Sequence, residues 1–173
     1  AWDNIPFTPQ IEELARHTRA ACFGSLAQRS PVSHRTIGRF LETMPDGEGQ
    51  YKVFDINLRQ HFYTQQVVEE SLRKCNILKI NDEELAVVGS MFGLEGMQPG
   101  EQCRTLLDRY GLRIVILTCG AAGSSVFAPD TRSYIPTPRV EVADTVGAGD
   151  SFTASFLAAL LSGLGIGEAH RLA

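Results

Sequence analysis

Arg113-Ile114-Val115-Ile116-Leu117-Thr118-Cys119-Gly120-Ala121-Ala122-Gly123 is an apolar run that ends in a loop of small residues. Apolar side chains at successive rather than alternate positions predict a strand covered on both faces, as inside a parallel sheet. Just upstream, Gly111 closes a helix predicted from Pro99 to Tyr110 by serving as its left-handed C-cap. Toward the N-terminus the same rhythm repeats. Residues 76–80 form a strand followed by a short helix from 82 to 88. Residues 51–55 form another, followed by a helix from Thr64 to Lys74 with Val67, Val68, Ser71 and Leu72 on its inner stripe. Before these come a helix from Ser33, as N-cap, to Met44, a short strand at 21–24, and a helix from Pro9 to Ala20. Toward the C-terminus, residues 125–128 and 133–135 flank Pro129-Asp130-Thr131-Arg132 and predict a hairpin. Strand–helix alternation with right-handed crossovers implies an α/β fold: a doubly wound, mainly parallel sheet with flanking helices and an antiparallel hairpin at its edge.

Composition sets the bounds. The chain has 173 residues, 43% hydrophobic and 21% charged, enough for one domain with a sizeable core. No linker or repeat divides it, so residues 1–173 are read as a single domain. A net charge of −4 disfavours a nucleic-acid partner, and no apolar run reaches membrane-spanning length. Cys22, Cys75, Cys103 and Cys119 have no metal-ligand spacing and read as reduced, mostly buried thiols of a cytoplasmic protein. His17, His34, His61 and His170 form no cluster, which gives a zinc site or histidine-based triad little support.

The stretch Asp144-Thr145-Val146-Gly147-Ala148-Gly149-Asp150-Ser151-Phe152 runs from a tight loop into a small and apolar helix, residues 149–161. Such a helix, apolar nearly all round, is expected to be central and buried. Its free first-turn amides suit an anion such as a phosphate. Asp150 has two roles open to it: an N-terminal cap that complements the helix dipole, or a base acting on a hydroxyl. The Gly-Ala-Gly segment completes neither a Walker loop nor a dinucleotide fingerprint.

Other candidates fall at the carboxyl ends of the strands, where α/β sheets bind ligands. Asp55, Asn57 and Arg59 alternate as the chain leaves one strand, so all three are expected to face one cleft; Arg59 is either a phosphate clamp or a surface ion-pair partner. Asn81 and Glu84 have capping-box spacing and could also organise a hydrated Mg2+. Thr118, Gly120 and Gly123 lie in a loop that is either a tight connection or a place for a nucleotide.

Taken together, Asp144-Thr145-Val146-Gly147-Ala148-Gly149-Asp150, Asn81-x-x-Glu84, Asp55-x-Asn57-x-Arg59 and Thr118-x-Gly120-x-x-Gly123 resemble the PfkB/ribokinase family of carbohydrate kinases, in its order and spacing. The resemblance implies a ribokinase-like fold and transfer of the γ-phosphoryl group of ATP to a sugar hydroxyl. It implies that Asp150 is the catalytic base, with Gly147, Ala148 and Gly149 forming the anion hole. Asn81 and Glu84 would organise Mg2+ and phosphates through water. Thr118, Gly120, Gly123 and Arg59 would serve ATP, and Asn57 and Asp150 the sugar. Asp144 and Val146 match the place where some members bind a monovalent cation such as K+. The residues around Phe54–Tyr63 and Phe23–Arg29 look most similar to fructokinase-like members, so fructose or a similar sugar is the expected acceptor. A nucleoside or vitamin-precursor kinase and a non-catalytic nucleotide-binding module are the alternatives. Family members are longer, so the chain is expected to be the ATP-binding and transfer part, lacking a sugar-binding lid half and the C-terminal end. Such a piece is expected to turn over poorly alone, in a parent compatible with a homodimer.

Overall fold

Local rules explain most element boundaries in the computed structural model, which describes residues 2–138 and 147–173. Helix α1 is Pro9–His17, entered through Thr8, whose hydroxyl accepts from Ile11 N at 3.3 Å. Strand β1 is Ala20–Phe23, and helix α2 is Pro31–Thr43. Ser33, predicted as the cap of that helix, lies inside it; Ser30 is the N-cap and Pro31 the first helical residue. The Ser33 hydroxyl instead donates to Trp2 O and accepts from Ile5 N, pinning the N-terminal segment. Strand β2 is Tyr51–Asp55, and α3 is Gln65–Lys74, capped by Thr64. Strand β3 (Ile77–Asn81) runs directly into α4 (Asp82–Met91), then α5 (Pro99–Tyr110) ends on Gly111 at φ +62°. Strands β4 (Ile114–Thr118), β5 (Ser124–Ala128) and β6 (Thr131–Ile135) follow, then α6 (Ala148–Leu161) and α7 (Ile166–Leu172).

The six strands form one sheet in the order β1-β2-β3-β4-β5-β6. β1 to β4 are parallel, and β5 and β6 are the expected antiparallel hairpin at the edge. Register places Asp55 opposite Lys79 and Asn81 opposite Thr118, so the carboxyl ends of β2, β3 and β4 are neighbours.

Strand alternation sorts the core into two layers. Phe54, Leu78, Ile80, Val115, Leu117 and Phe127 face Val68 and Leu72 of α3, Leu85 and Val88 of α4, and Leu106 and Leu107 of α5. On the other face Val53, Ile77, Ile114, Ile116 and Val126 meet Phe156, Ala159 and Leu160 of α6 and Ala169 of α7. Each such fully buried Leu, Ile or Phe contributes about 1.5–3 kcal/mol. Helix α6 departs from the expectation that it would be buried all round. Thr153, Phe156, Ala159 and Leu160 pack inward, whereas Ser151, Ala154, Ser155 and Ala158 are exposed. Small residues around a helix permit close packing without requiring it, so composition alone overestimated its burial.

Two thiols match the sequence reading and one does not: Cys75 and Cys103 are buried, and burial pushes each up to about 12. Cys22 is exposed on strand β1 at the open edge of the sheet. No helix among the described residues is long and apolar enough to cross a membrane.

Buried His170 of α7 ties that helix to the hairpin. Its Nε2 lies 2.8 Å from Ser124 Oγ and its Nδ1 2.8 Å from Ser133 Oγ. Burial lowers its pKa below the ordinary value, so the folded state favours the neutral ring. The stability it adds is complete above the unfolded pKa of about 6.5 and is lost as pH falls through that value toward the lower folded one. Urea midpoints should therefore fall between about pH 7.5 and 5, and His170→Gln should show a shallower fall over that window. Equal slopes in the two proteins would overturn this assignment.

Candidate active site

The first turn of α6 lies over the carboxyl ends of β2 and β3. Gly147, its N-cap, has φ +83°, a left-handed conformation that a Cβ disfavours by about 1–2 kcal/mol. The first helical bond runs from Ser151 N to Gly147 O at 2.8 Å. The amides of Ala148, Gly149 and Asp150 therefore precede the helical ladder, and among the described residues no side chain caps them. Asp150, in the same turn, is exposed. The turn thus presents open backbone donors next to one open carboxylate.

Gly149 is glycine for a different reason from Gly147. It is helical, without a positive φ, so conformation does not require it. A Cβ there would stand 3.0 Å from the Lys79 Nζ and 3.8 Å from its Cε. Lys79 and Asp55, 8% exposed each, form an ion pair at 3.0 Å beneath this turn. Thr153 Oγ1 lies 3.2 Å from the other Asp55 oxygen and 3.0 Å from Gly149 O, sharing its one proton between them. Lys79 and Thr153 are absent from the sequence-derived candidates. The available signal was an acidic and a basic residue near the carboxyl ends of successive strands, Tyr51-Lys52-Val53-Phe54-Asp55 and Ile77-Leu78-Lys79-Ile80.

The expected alternation of Asp55, Asn57 and Arg59 does not hold. β2 ends at Asp55, and Asn57 at φ +45° and Gln60 at φ +49° break the extended backbone that alternation requires. Asp55 is buried in its ion pair, Asn57 is half-buried, and Arg59 is exposed without an ion pair among the described residues. The turn is held by two backbone bonds, Ile56 N to Lys79 O and Ser25 N to Ile56 O, and by Leu58 N donating to the Glu84 side chain at Oε1, 3.0 Å.

At the end of β3 the capping box is complete. Glu84 N donates to Asn81 Oδ1 at 2.8 Å, and Asn81 N donates to Glu84 Oε2 at 3.0 Å. With Leu58 N on Oε1, each oxygen of Glu84 accepts one backbone donor and keeps lone-pair capacity for water. Among the described residues no group of three or more His, Cys, Asp or Glu gathers as a metal site. This donor set fits an ion that keeps most of its own waters, as Mg2+ does. Asp144 and Val146, the expected monovalent-cation ligands, lie outside the described residues.

Thr118 ends β4 beside Asn81, and the loop after it is closed on itself. Gly120, at φ +50°, offers its carbonyl to Gly123 N at 3.2 Å and to Thr137 Oγ1 at 2.6 Å. Gly123, at φ +113°, packs so tightly that a Cβ would run into the Ile135 carbonyl oxygen and come within 2.9 Å of Pro136 Cα. A separate depression of about 700 Å3 lies between α5 and the hairpin, lined by Gln98, Arg104, Leu117, Phe127 and Arg132. Leu117 and Phe127 belong to the opposite sheet face from Lys79 and α6, so this depression is remote from Asp150.

Comparison with known proteins gives three concordant findings. The model of the pfkB family carbohydrate kinases matches residues 31–173. A fructokinase of Rhizobium leguminosarum bv. trifolii is 31% identical over 160 residues, covering 88% of this chain and 46% of the relative. The chain thus spans about half the length of the curated relatives it matches. Among solved structures, aminoimidazole riboside kinase from Salmonella enterica, complexed with aminoimidazole riboside and an ATP analogue, aligns with a TM-score of 0.69. It is 24% identical and covers 87% of this chain and 52% of that one. An E. coli structure in complex with ATP and Mg2+ aligns at 0.76 and 17% identity, over 92% and 51%.

Proposed function

The chain belongs to the pfkB family of carbohydrate kinases, and we propose that it supplies the ATP-binding and phosphoryl-transfer part of such a kinase. In this reading the γ-phosphoryl group of ATP passes to a sugar hydroxyl, fructose or a similar sugar being the acceptor. The observation that carries it is the first turn of α6, whose leading amides no side chain caps among the described residues, beside the exposed Asp150.

The chemistry follows from that turn. The acceptor oxygen attacks the γ-phosphorus, the bond from that phosphorus to the bridging oxygen of ADP breaks, and the hydroxyl proton passes to the Asp150 carboxylate. Amides at Gly147, Ala148 and Gly149 receive the charge that develops on the transferring group, so positioning and electrostatics do most of the work. Thr118, Gly120 and Gly123 shape the nucleotide loop, and Asn57 lies on the acceptor side. Asn81 and Glu84 would hold Mg2+ through water, and the ion would supply neutralisation of phosphate charge. The fructokinase relative supports a sugar acceptor, and the complexes with an ATP analogue and with ATP and Mg2+ support the nucleotide and the ion. Four free cysteines suit a reducing compartment such as the cytoplasm.

The riboside ligand of the Salmonella enterica structure favours a second reading, in which a nucleoside takes the place of the sugar. A substrate panel on the full-length protein separates the two. ATP-dependent ADP release is measured with fructose, ribose, ketogluconate and nucleosides, and fructose is expected to give the highest kcat/KM. A nucleoside preference selects the second reading. Absence of transfer to every acceptor overturns both.

A further inference from the structure

We propose that Lys79 is a positioning residue for the transfer site. Its ammonium, held from below by Asp55, seats the first turn of α6 and places fixed positive charge under the amides that receive the phosphoryl group. This deepens the kinase reading above and rests on it for the identity of the anion.

Three observations converge on the ammonium. It is packed against Gly149, the residue at the centre of the open turn, closely enough that a Cβ there would stand only 3.0 Å away. It is buried, with one hydrogen bond among the described residues, to Asp55 Oδ1 at 3.0 Å, although an ammonium has three donors. The carboxylate that holds it is fixed from the other side by Thr153, whose hydroxyl also lies 3.0 Å from Gly149 O. Lys79, Asp55, Thr153 and Gly149 thereby close a ring linking β3, β2 and the start of α6.

Such a ring is a poor device for stability alone. Burying an ion pair costs desolvation that its attraction only partly offsets, and apolar replacements of both members are often as stable. What an apolar pair could not supply is direction. The positive member abuts Gly149 in the first turn and the negative member meets Thr153 one turn further along, so the cation stands at the turn where an anion is expected. The same packing accounts for a glycine at 149 that backbone conformation does not demand.

The test uses the full-length protein as wild type, Lys79→Met, and Lys79→Met combined with Asp55→Asn, which removes both charges. Melting temperature, kcat, KM for ATP and inorganic phosphate affinity are measured, the last by NMR titration of the Ala148 and Gly149 amides. Lys79→Met is expected to lower kcat by about 10- to 100-fold, less than the 100- to 1,000-fold typical of a lost direct oxyanion donor. Phosphate affinity should fall about tenfold while KM for ATP moves less. In the double variant the melting temperature should recover, because no unpaired buried charge remains, but kcat and phosphate affinity should not. Recovery of all of them would make Lys79 only a structural partner of Asp55 and overturn the proposal. So would wild-type amides that do not respond to phosphate. If phosphate affinity falls as stated in both variants while the wild type transfers phosphate to no acceptor, the role of Lys79 stands and the kinase reading fails.

Discussion

Asp150→Asn in the full-length protein is expected to lower phosphoryl transfer by about 1,000-fold, within the range of 100- to 10,000-fold typical of a lost general base. The amide keeps the size and hydrogen-bonding reach of the carboxylate but cannot take the acceptor proton. Two features make the result interpretable. Asp150 is exposed and no side chain in the first turn of α6 depends on it as a cap, so the fold has little to lose. Its favourable interaction with the helix dipole is worth about 0.3–1 kcal/mol at an exposed site, too little to unfold the chain. Nucleotide affinity should therefore hold or tighten slightly, since a negative charge near the phosphates has been removed. Single-turnover transfer and calorimetric nucleotide titration measure the two effects separately. A variant that keeps more than a tenth of wild-type turnover would remove Asp150 from the chemistry and return it to the role of a dipole-complementing first-turn residue. An unaltered nucleotide affinity in a protein that never transfers phosphate would instead describe a binding module.

The parts of this fold legible in sequence were those decided within one or two turns of chain. α5 is an example: Pro99 starts it, Gly111 ends it, and both follow from backbone chemistry that neighbours cannot change. The hairpin and the capping box at Asn81 and Glu84 belong to the same class. The departures came from long-range partners. Ser33 has the composition of an N-cap, but its hydroxyl is taken by Trp2 and Ile5 about thirty residues earlier, while Pro31 starts the helix. Asn57 follows a strand, but its left-handed backbone ends the alternation that would have aimed Arg59 into the cleft. The placing of Gly147 and Asp150 at the start of α6 was legible because glycine and aspartate beside a helix start have few positions open to them. Lys79 was not, since a lone lysine in a strand acquires meaning only when register sets it opposite Asp55 and packing brings Gly149 onto it. The two glycines of Gly147-Ala148-Gly149 look alike in sequence and answer to different physics, one to φ and one to space.

A third glycine combines both constraints, and Gly123→Ala should be the most damaging single methyl added to the loop after β4. Its backbone, at φ +113° and ψ −161°, lies in a region that only glycine occupies readily, costing other residues about 1–3 kcal/mol. The added methyl also meets backbone, the Ile135 carbonyl and Pro136 Cα, not the end of a side chain that could swing away. Relief requires moving the end of β6 or opening the loop, which is closed by Cys119 N on Gly123 O at 2.8 Å and by Tyr134 OH on Ala122 O at 2.7 Å. The expected destabilisation is about 3 kcal/mol or more, which for a chain of this size lowers the melting temperature by about 6–12 °C. Gly163→Ala is the matched control: φ is +84° there, but nothing lies within 4 Å of the added methyl. It bears only the conformational cost, about 1–2 kcal/mol. A melting temperature for Gly123→Ala no lower than that of the control would refute the steric part of the argument. The functional part has its own readout: under the proposed role of this loop in nucleotide binding, its shift is expected to weaken nucleotide affinity by about tenfold, a loss of 1.4 kcal/mol. If the melting temperature falls and nucleotide affinity does not, Gly123 serves the hairpin alone, and the nucleotide must be held by Thr118 and the residues at the end of β3.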